Sequence, residues 1–291
     1  MPMLHDHLAR ARARLVAAGV PPHEAALDAE VLARHVLGWD RARLIASGRE
    51  PAPAVFASDY DRAIARRAAR EPVAQITGSR EFWGLPFEVT RDVLTPRPET
   101  ELIVEEALAA FREAPSPSSI VDVCTGSGCL AIVLAREFPA ACVIATDVSE
   151  MALEVARRNA ARHRVDHRVT FVCGDLFDGI MTPADLIVSN PPYVPETDAP
   201  SLAPEVRDYE PPVALFGGAD GLGIYRRLLP SARSSARSGT LLILEVGYDQ
   251  HAAVTELAAL SGWTLARSRQ DLQGITRTLV FLKPEARSLT S

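Results

Sequence analysis

Ile120-Val121-Asp122-Val123-Cys124-Thr125-Gly126-Ser127-Gly128-Cys129-Leu130-Ala131 is the stretch from which the fold is read. A short apolar run ends in a turn with two glycines, and an apolar segment of helical length, 129–136, follows. Strand, glycine turn and helix in that order open a βαβ unit, where Gly126 and Gly128 allow a tight turn and close approach of a ligand to the backbone. Ala131 stands where a third small residue lets the helix pack on the strand. Outward from this turn, further strands are expected at 142–146, 169–173, 186–189, 241–246, 266–270 and 276–282, with helices near 149–163, 222–236 and 249–260. Strands separated by helices predict an α/β fold with a parallel, doubly wound sheet covered on both faces. No helix separates the last two strands, which are expected to close the sheet as an antiparallel pair.

Upstream the period changes. Leu4, Leu8, Ala11 and Leu15 recur at helical spacing, as do Leu27, Val31 and Leu32, then Phe56, Tyr60 and Ile64. Gly19-Val20-Pro21-Pro22, Gly38 and Pro51-Ala52-Pro53 punctuate them, which predicts a small helical bundle over residues 1–80. Phe82, Trp83, Leu85, Phe87 and Val89 then alternate, so residues 81–97 read as a β-hairpin linker to a larger domain at 98–291. Pro98 suits a first helical position, and Glu99 and Glu101 favour the positive end of that helix.

Composition narrows the class. With 47% hydrophobic and 23% charged residues in a chain of 291, a full hydrophobic core is expected and a disordered or collagen-like chain is excluded. No apolar run approaches the ~20 residues of a membrane helix. Asp6, Arg10, Arg12 and Arg14 break any signal-peptide stretch, so the expectation is a soluble, cytoplasmic protein without a membrane partner. A net charge of -6 argues against nonspecific nucleic-acid binding, which runs on phosphate neutralisation. Cys124, Cys129, Cys142 and Cys173 fit no paired zinc spacing and fall in or beside apolar runs. They are expected to be buried thiols, and no metal site is expected.

In doubly wound sheets ligands sit beyond the carboxyl ends of the strands. Asp147 ends the second strand, 19 residues after Gly128, where a carboxylate suits the ribose hydroxyls of a nucleoside. Asp122 before the turn suits a ligand carrying an ammonium and a sulfonium rather than a pyrophosphate. After the third strand, Gly174-Asp175-Leu176-Phe177 offers a carboxylate for an adenine amino group and an apolar cover for its ring. After the fourth comes Asn190-Pro191-Pro192-Tyr193. Two prolines lock φ and remove two N–H donors, leaving rigid carbonyl acceptors. The Asn190 side-chain oxygen and the Pro191 carbonyl then suit the two hydrogens of a planar NH2 group, with the Tyr193 ring against its face. Accepting both hydrogens favours positive charge on a conjugated nitrogen and aims its lone pair at an incoming methyl group.

These residues carry a resemblance. Together with Pro72–Gly78, Glu81–Trp83, Val93–Glu101, Thr125–Gly128, Tyr209–Pro211, Gly218–Gly221 and Leu244–Gly247, they make the chain similar over nearly its whole length to the glutamine N5-methyltransferases of peptide chain release factors. That family lies within the class I S-adenosylmethionine-dependent methyltransferases. The resemblance implies a seven-stranded Rossmann-like methyltransferase sheet with an N-terminal substrate-recognition bundle and a hairpin linker. It implies S-adenosyl-L-methionine as cofactor and class 1 release factors as protein partners, methylated on the glutamine of a Gly-Gly-Gln tripeptide. Carried over by position, Asp122, Cys124, Thr125, Gly126, Ser127, Gly128, Asp147, Asp175, Leu176 and Asn190 would hold the cofactor. Asn190, Pro191, Pro192 and Tyr193 would hold the glutamine and perform the chemistry.

Alternatives remain at this level. Cys124 replaces a glycine common in the family, and a cysteine there also occurs in glutamine methyltransferases acting on a ribosomal protein. An adenine- or cytosine-amino methyltransferase uses the same Asn-Pro-Pro-aromatic logic but needs a basic cleft or target-recognition segment, and a net charge of -6, one lysine and no long insertion after Tyr193 make it the weaker enzyme reading. A Rossmann dehydrogenase explains Gly126, Gly128 and Asp147 and leaves Asn190–Tyr193 idle. A non-catalytic docking protein would leave all of them idle.

Overall fold

The computed structural model describes residues 2–285; residue 1 of the expected bundle and residues 286–291 of the expected larger domain lie outside the described residues. The helices are α1 (Leu4–Ala17), α2 (Pro22–Leu37), α3 (Arg41–Ala46), α4 (Phe56–Ala68), α5 (Val73–Thr77), α6 (Glu101–Ala110), α7 (Cys129–Glu137), α8 (Glu150–Arg162), α9 (Pro204–Arg207), α10 (Pro212–Leu215), α11 (Gly223–Ser234) and α12 (His251–Leu260). The strands are β1 (Ser79–Phe82), β2 (Leu85–Glu88), β3 (Ser119–Val123), β4 (Cys142–Asp147), β5 (Val169–Cys173), β6 (Ala184–Ser189), β7 (Ala236–Glu245), β8 (Thr264–Gln270) and β9 (Thr276–Leu282). Two units separate: one runs through Ser79 and takes in Ala203–Tyr209, the other is Arg80–Leu202 with the chain from Glu210 onward.

The first unit buries Leu4, Leu15, Leu32, Phe56, Tyr60 and Ile64 in one cluster. Phe56 and Tyr60, one helical turn apart, stack with centroids 4.7 Å apart, and the Tyr60 hydroxyl donates to the Ala29 carbonyl of α2 at 2.9 Å. The inner face of α2 is Ala25, Ala29, Leu32 and Ala33, while Leu27, expected inside, is 58% exposed. Small side chains at helical spacing admit the neighbouring helices closely, and Leu27 falls on the other side of the helix.

A buried cation fixes the later segment in this unit. Arg67 on α4 is 4% exposed and bonds Asp28 at 2.6 Å and Glu205 of α9 at 2.7 Å. Arg70 takes the other Glu205 oxygen at 2.7 Å. Gln75 Nε2 donates to the Tyr209 carbonyl at 3.0 Å, and the Tyr209 hydroxyl donates to the Ala69 carbonyl at 2.7 Å. A guanidinium taken out of water must be paired. The pairing explains why seven residues distant in sequence belong here.

In the second unit the sheet order is β5-β4-β3-β6-β7-β9-β8. β3 to β7 run parallel, and β9 lies antiparallel between β7 and β8. One face packs Ile120, Val143 and Val188 against α6, α7 and α8; the other packs Val121, Val123 and Leu244 against α11 and α12. The sheet is therefore doubly wound, as its helix-separated apolar strands predicted. The hairpin is shorter than 81–97, ending at Glu88, and its turn residues Trp83 and Gly84 both have positive φ, at 53° and 68°. Positive φ at both central residues matches the twist of a two-residue hairpin. Phe82 and Phe87 are buried in the α7–α8 side of the core, so the hairpin is packed structure rather than a free connection. Pro98 opens a 3-10 turn, Pro98–Thr100, that leads into α6.

The thiols depart from expectation. Cys129 is buried and Cys124 half-buried, but Cys142 and Cys173 are exposed. Cys142 is the first residue of β4, and Cys173 ends β5, an edge strand of the sheet, with its thiol on the Val148 carbonyl at 3.7 Å.

Glu205→Ala should leave Arg67 with Asp28 at 2.6 Å and the longer contact to Glu24 at 4.0 Å, and cost the N-terminal unit about 3 kcal/mol, read as a lower midpoint in denaturant. An unchanged midpoint would show that the pair contributes nothing to holding Ala203–Tyr209 in place.

Candidate active site

The turn after β3 is held from beneath. Alternation along β3 puts Asp122 on the α7 face, where it is fully buried. Its Oδ2 accepts from the Thr125 hydroxyl at 2.6 Å and from the Ala131 N–H of α7 at 3.0 Å; its Oδ1 has no partner among the described residues. Burial pushes its carboxyl up to about 7, against the pull of those two hydrogen bonds. Cys124 adopts φ 60° and Gly128 φ 81°, so the chain turns sharply into α7. A Cβ on Gly128 would lie 3.0 Å from the Ala156 Cβ of α8, which keeps that position small. Asn159 of α8 donates to the Ser127 carbonyl at 2.9 Å and also bonds both backbone groups of Glu88.

Asp147 closes the next strand end. Its Oδ2 accepts from the Gly126 N–H at 2.9 Å and its Oδ1 from the Ser149 N–H at 3.0 Å, so it ties two strand-end turns together. Each oxygen keeps a lone pair for a further donor. Beyond β5, Asp175 pairs with Arg227 of α11, and Leu176 sits at φ 54° with its carbonyl on the Thr146 hydroxyl at 2.7 Å.

These turns enclose a cavity of about 300 Å³. It is lined by Cys124, Thr125, Gly126, Ser127, Asp147, Asp175, Leu176, Asn190 and Pro192, and also by Asp92–Leu94, Pro96, Arg97, Thr100, Val213, Ala214, Ile224 and Arg227. The second group was not expected. Arg97 is anchored by Glu210 at 2.5 Å, whose other oxygen accepts from the Thr95 N–H at 3.3 Å. That pairing holds the strap 93–97 beside the cavity.

Asn190 stands at the end of β6. Its Nδ2 donates to Thr100 Oγ1 at 3.0 Å, and Thr100 donates to Glu245 Oε2 at 2.6 Å. The Tyr193 hydroxyl donates to Glu245 Oε1 at 3.1 Å, and the Tyr225 hydroxyl to the Glu245 carbonyl at 2.8 Å. Burial, opposed by the Thr100 and Tyr193 hydrogen bonds, pushes the Glu245 carboxyl up to about 7. Behind the loop, Gln250 Nε2 donates to the Tyr193 carbonyl at 2.8 Å, and a Cβ on Gly221 would strike that carbonyl. The Asn190–Tyr193 loop is thus fixed from two sides.

Four expected residues lie outside the lining. Asp122 is beneath the turn and builds it rather than facing the cavity, because β3 alternation points it into the α7 side. Gly128 packs on α8. Pro191 is buried, and Tyr193 is half-buried with its hydroxyl, not only its ring, committed to Glu245. Thr100, Glu245, Gln250, Arg97 and Arg227 went unread as site residues. Glu245 alone left a local signal, an acid ending the apolar run Leu241–Leu244 at a strand terminus.

The chain matches two family models, "PrmC N-terminal domain" over residues 6–78 and "Methyltransferase small domain" over 100–204. It is 44% identical to a release factor glutamine methyltransferase of Cereibacter sphaeroides over 97% of this chain and 99% of that one. It is 43% identical to one of Deinococcus radiodurans over 94% and 96%. A methyltransferase of Pyrococcus furiosus superposes with a TM-score of 0.53 at 21% identity, over 78% of this chain and 99% of that one, which bears on the fold alone.

Asp122 makes a prediction about pH. Its carboxyl is raised in the folded state, so the fold holds a proton that the unfolded chain has lost between about 4 and 7. Its contribution to stability is therefore greatest at acid pH and declines as pH rises through 7. Asp122→Asn should gain less melting temperature than the wild type between pH 8 and pH 5.5; equal gains would mean that Asp122 does not titrate there.

Proposed function

The chain belongs to the release factor glutamine methyltransferase family, and from that premise we propose that it methylates the side-chain amide nitrogen (N5) of the glutamine in the Gly-Gly-Gln motif of class 1 peptide chain release factors. The observation that carries this reading is the orientation of Asn190. Its Nδ2 is turned to Thr100, which leaves Oδ1 as the acceptor beside the cavity.

The residues present fit S-adenosylmethionine. The cavity is small and largely apolar, Asp147 keeps free lone pairs for ribose hydroxyls, and the Cys124–Ser127 turn exposes backbone to a close ligand. Asp175 serves the adenine end through its outer face, beside Arg227, and Leu176 covers the ring. When bound, the cofactor supplies an electrophilic methyl group. The protein's part is to orient the nucleophile. Asn190 Oδ1 accepts one N–H of the substrate amide, and the main-chain carbonyl of Pro191, whose ring lies outside the lining, accepts the other; together they turn the nitrogen lone pair out of conjugation and stabilise positive charge as it develops. Amide resonance resists that rotation by ~18–20 kcal/mol, and an aimed acceptor commonly removes ~3–4 kcal/mol of such a barrier. No base is needed during transfer, since the nitrogen sheds its proton after it gains the methyl.

The N-terminal unit is assigned to recognition of the protein substrate; its cluster of helices carries none of the residues named above. Among the described residues no helix is long and apolar enough to cross a membrane, in keeping with a partner in translation and a cytoplasmic site of action. The relatives' names favour a release factor over a ribosomal protein, and the net charge of -6 disfavours a nucleic-acid substrate.

Mass spectrometry of a purified release factor incubated with enzyme and S-adenosylmethionine should show one added methyl group on the Gly-Gly-Gln glutamine. Methylation of a ribosomal protein or of nucleic acid instead would overturn the reading. In the same assay Asn190→Ala should lose about 10²–10³ in kcat while binding cofactor within a few-fold. Asp147→Ala should weaken cofactor binding by about 10- to 150-fold, measured by calorimetry, and an unchanged affinity would remove Asp147 from the ribose.

A further inference from the structure

We infer that Glu245 is a positioning residue: acting through Thr100, it decides which end of the Asn190 amide faces the substrate. The inference rests on the proposed role of Asn190 as an acceptor and extends it to a residue that touches no substrate.

The geometry is a relay of three groups. Glu245 is 1% exposed, and Thr100 is 3% exposed. Thr100 Oγ1 has one proton, and it is directed to Glu245 Oε2 at 2.6 Å. The same oxygen must then act as acceptor toward Asn190, so Asn190 presents Nδ2 to it at 3.0 Å and Oδ1 to the site. A carboxylate is acceptor-only, so the ionised form of Glu245 permits one direction for the whole relay. A proton on Oε2 reverses it. Glu245 would donate to Thr100, Thr100 would donate to Asn190, and Asn190 would have to turn Oδ1 inward to accept. Its NH2 would then face the substrate NH2, donor against donor, and the lone pair would lose its orientation.

The groups around Glu245 leave its charge finely balanced. The Tyr193 hydroxyl on Oε1 favours the ion, as does Arg277 on β9, itself held by Asp271 at 3.0 Å. Glu99 in the turn before α6 opposes it, and burial opposes it most. Tyr225 of α11 bonds only the main-chain carbonyl, the neighbouring Thr278 on β9 has an unpartnered hydroxyl, and Cys129 of α7 is a neutral thiol. The carboxyl is accordingly pushed up to about 7, so the relay reverses within the range of an ordinary pH profile.

The chain has two asparagines, Asn159 and Asn190, which gives a readout that needs no substrate. In full-length protein labelled with 15N-asparagine, the Asn190 side-chain amide should titrate near pH 7, and Asn159, which lies beside the Asp122-bound turn, shows whether a variant has disturbed that turn instead. The titration should vanish in Glu245→Gln and in Thr100→Val and return in Thr100→Ser. With the release factor as substrate, wild-type kcat should fall about tenfold per pH unit below 7. Glu245→Gln should lose that acid limb. Thr100→Val should be about 10²-fold slower in kcat and flat with pH, with cofactor affinity within about threefold, and Thr100→Ser should recover rate and limb together. If Asn190 titrates but no methyl reaches the release factor, the substrate reading fails and the positioning role stands. An Asn190 amide indifferent to pH, or an acid limb that survives in Glu245→Gln, overturns the inference.

Discussion

One carboxylate oxygen sets the geometry on which the cavity depends. Asp122 Oδ2 accepts the Thr125 hydroxyl and the Ala131 N–H together, which joins the start of the glycine turn to the first turn of α7. The Gly128 N–H, at the cap of α7, adds a bond to the Thr125 carbonyl at 2.9 Å. With them joined, the Gly126 N–H is delivered to Asp147 at the neighbouring strand end, and the Ser127 carbonyl to Asn159 on α8. Three strand-end segments become one rigid surface. The arrangement leaves Oδ1 buried without a partner, a cost of about 1–3 kcal/mol by comparison with other such groups. Function tolerates that cost because the alternative is a flexible turn.

The opposite wall obeys the same logic with different means. Two prolines stiffen the loop after β6 internally, and close backbone contact at Gly221 and the Gln250 amide restrain it from behind. Positive φ at Cys124 and Leu176, residues that ordinarily avoid it, stores strain in the turns after β3 and β5, which flank β4 and its Asp147. Acceptors aimed at a developing charge are effective only if they do not reorganise when the charge appears. Rigid turns around a modest apolar cavity meet that condition.

The sequence disclosed most of what is local. Strands buried on both faces are nearly continuous apolar runs, so β3 to β7 could be located, and the turns that follow them supplied Asp147, Asp175 and Asn190. It misplaced what depends on facing. Leu27 fitted a helical period yet points outward, since the alanines of α2 form the packed side. Asp122 was read against the ligand, when strand alternation sends it beneath the turn. It was silent on pairings across long separations: Thr100 and Glu245 are 145 residues apart, and neither Arg97 with Glu210 nor Arg227 with Asp175 follows any local spacing. Such contacts exist only once the sheet order brings the strand ends together.

The placement of Ala203–Tyr209 with the N-terminal helices has a consequence for synthesis. Glu205 lies 138 residues after Arg67. At a translation rate of ~5–20 residues per second, the ribosome needs roughly 7–28 s to deliver it after Arg67. Over that interval Arg67 has Asp28 of α2 but lacks the Glu205 carboxylate that completes its pairing in the folded unit. The first segment to emerge is therefore among the last to be completed, and β3 to β6 leave the exit tunnel while it waits. The N-terminal unit therefore cannot complete its pairing in strict N-to-C order.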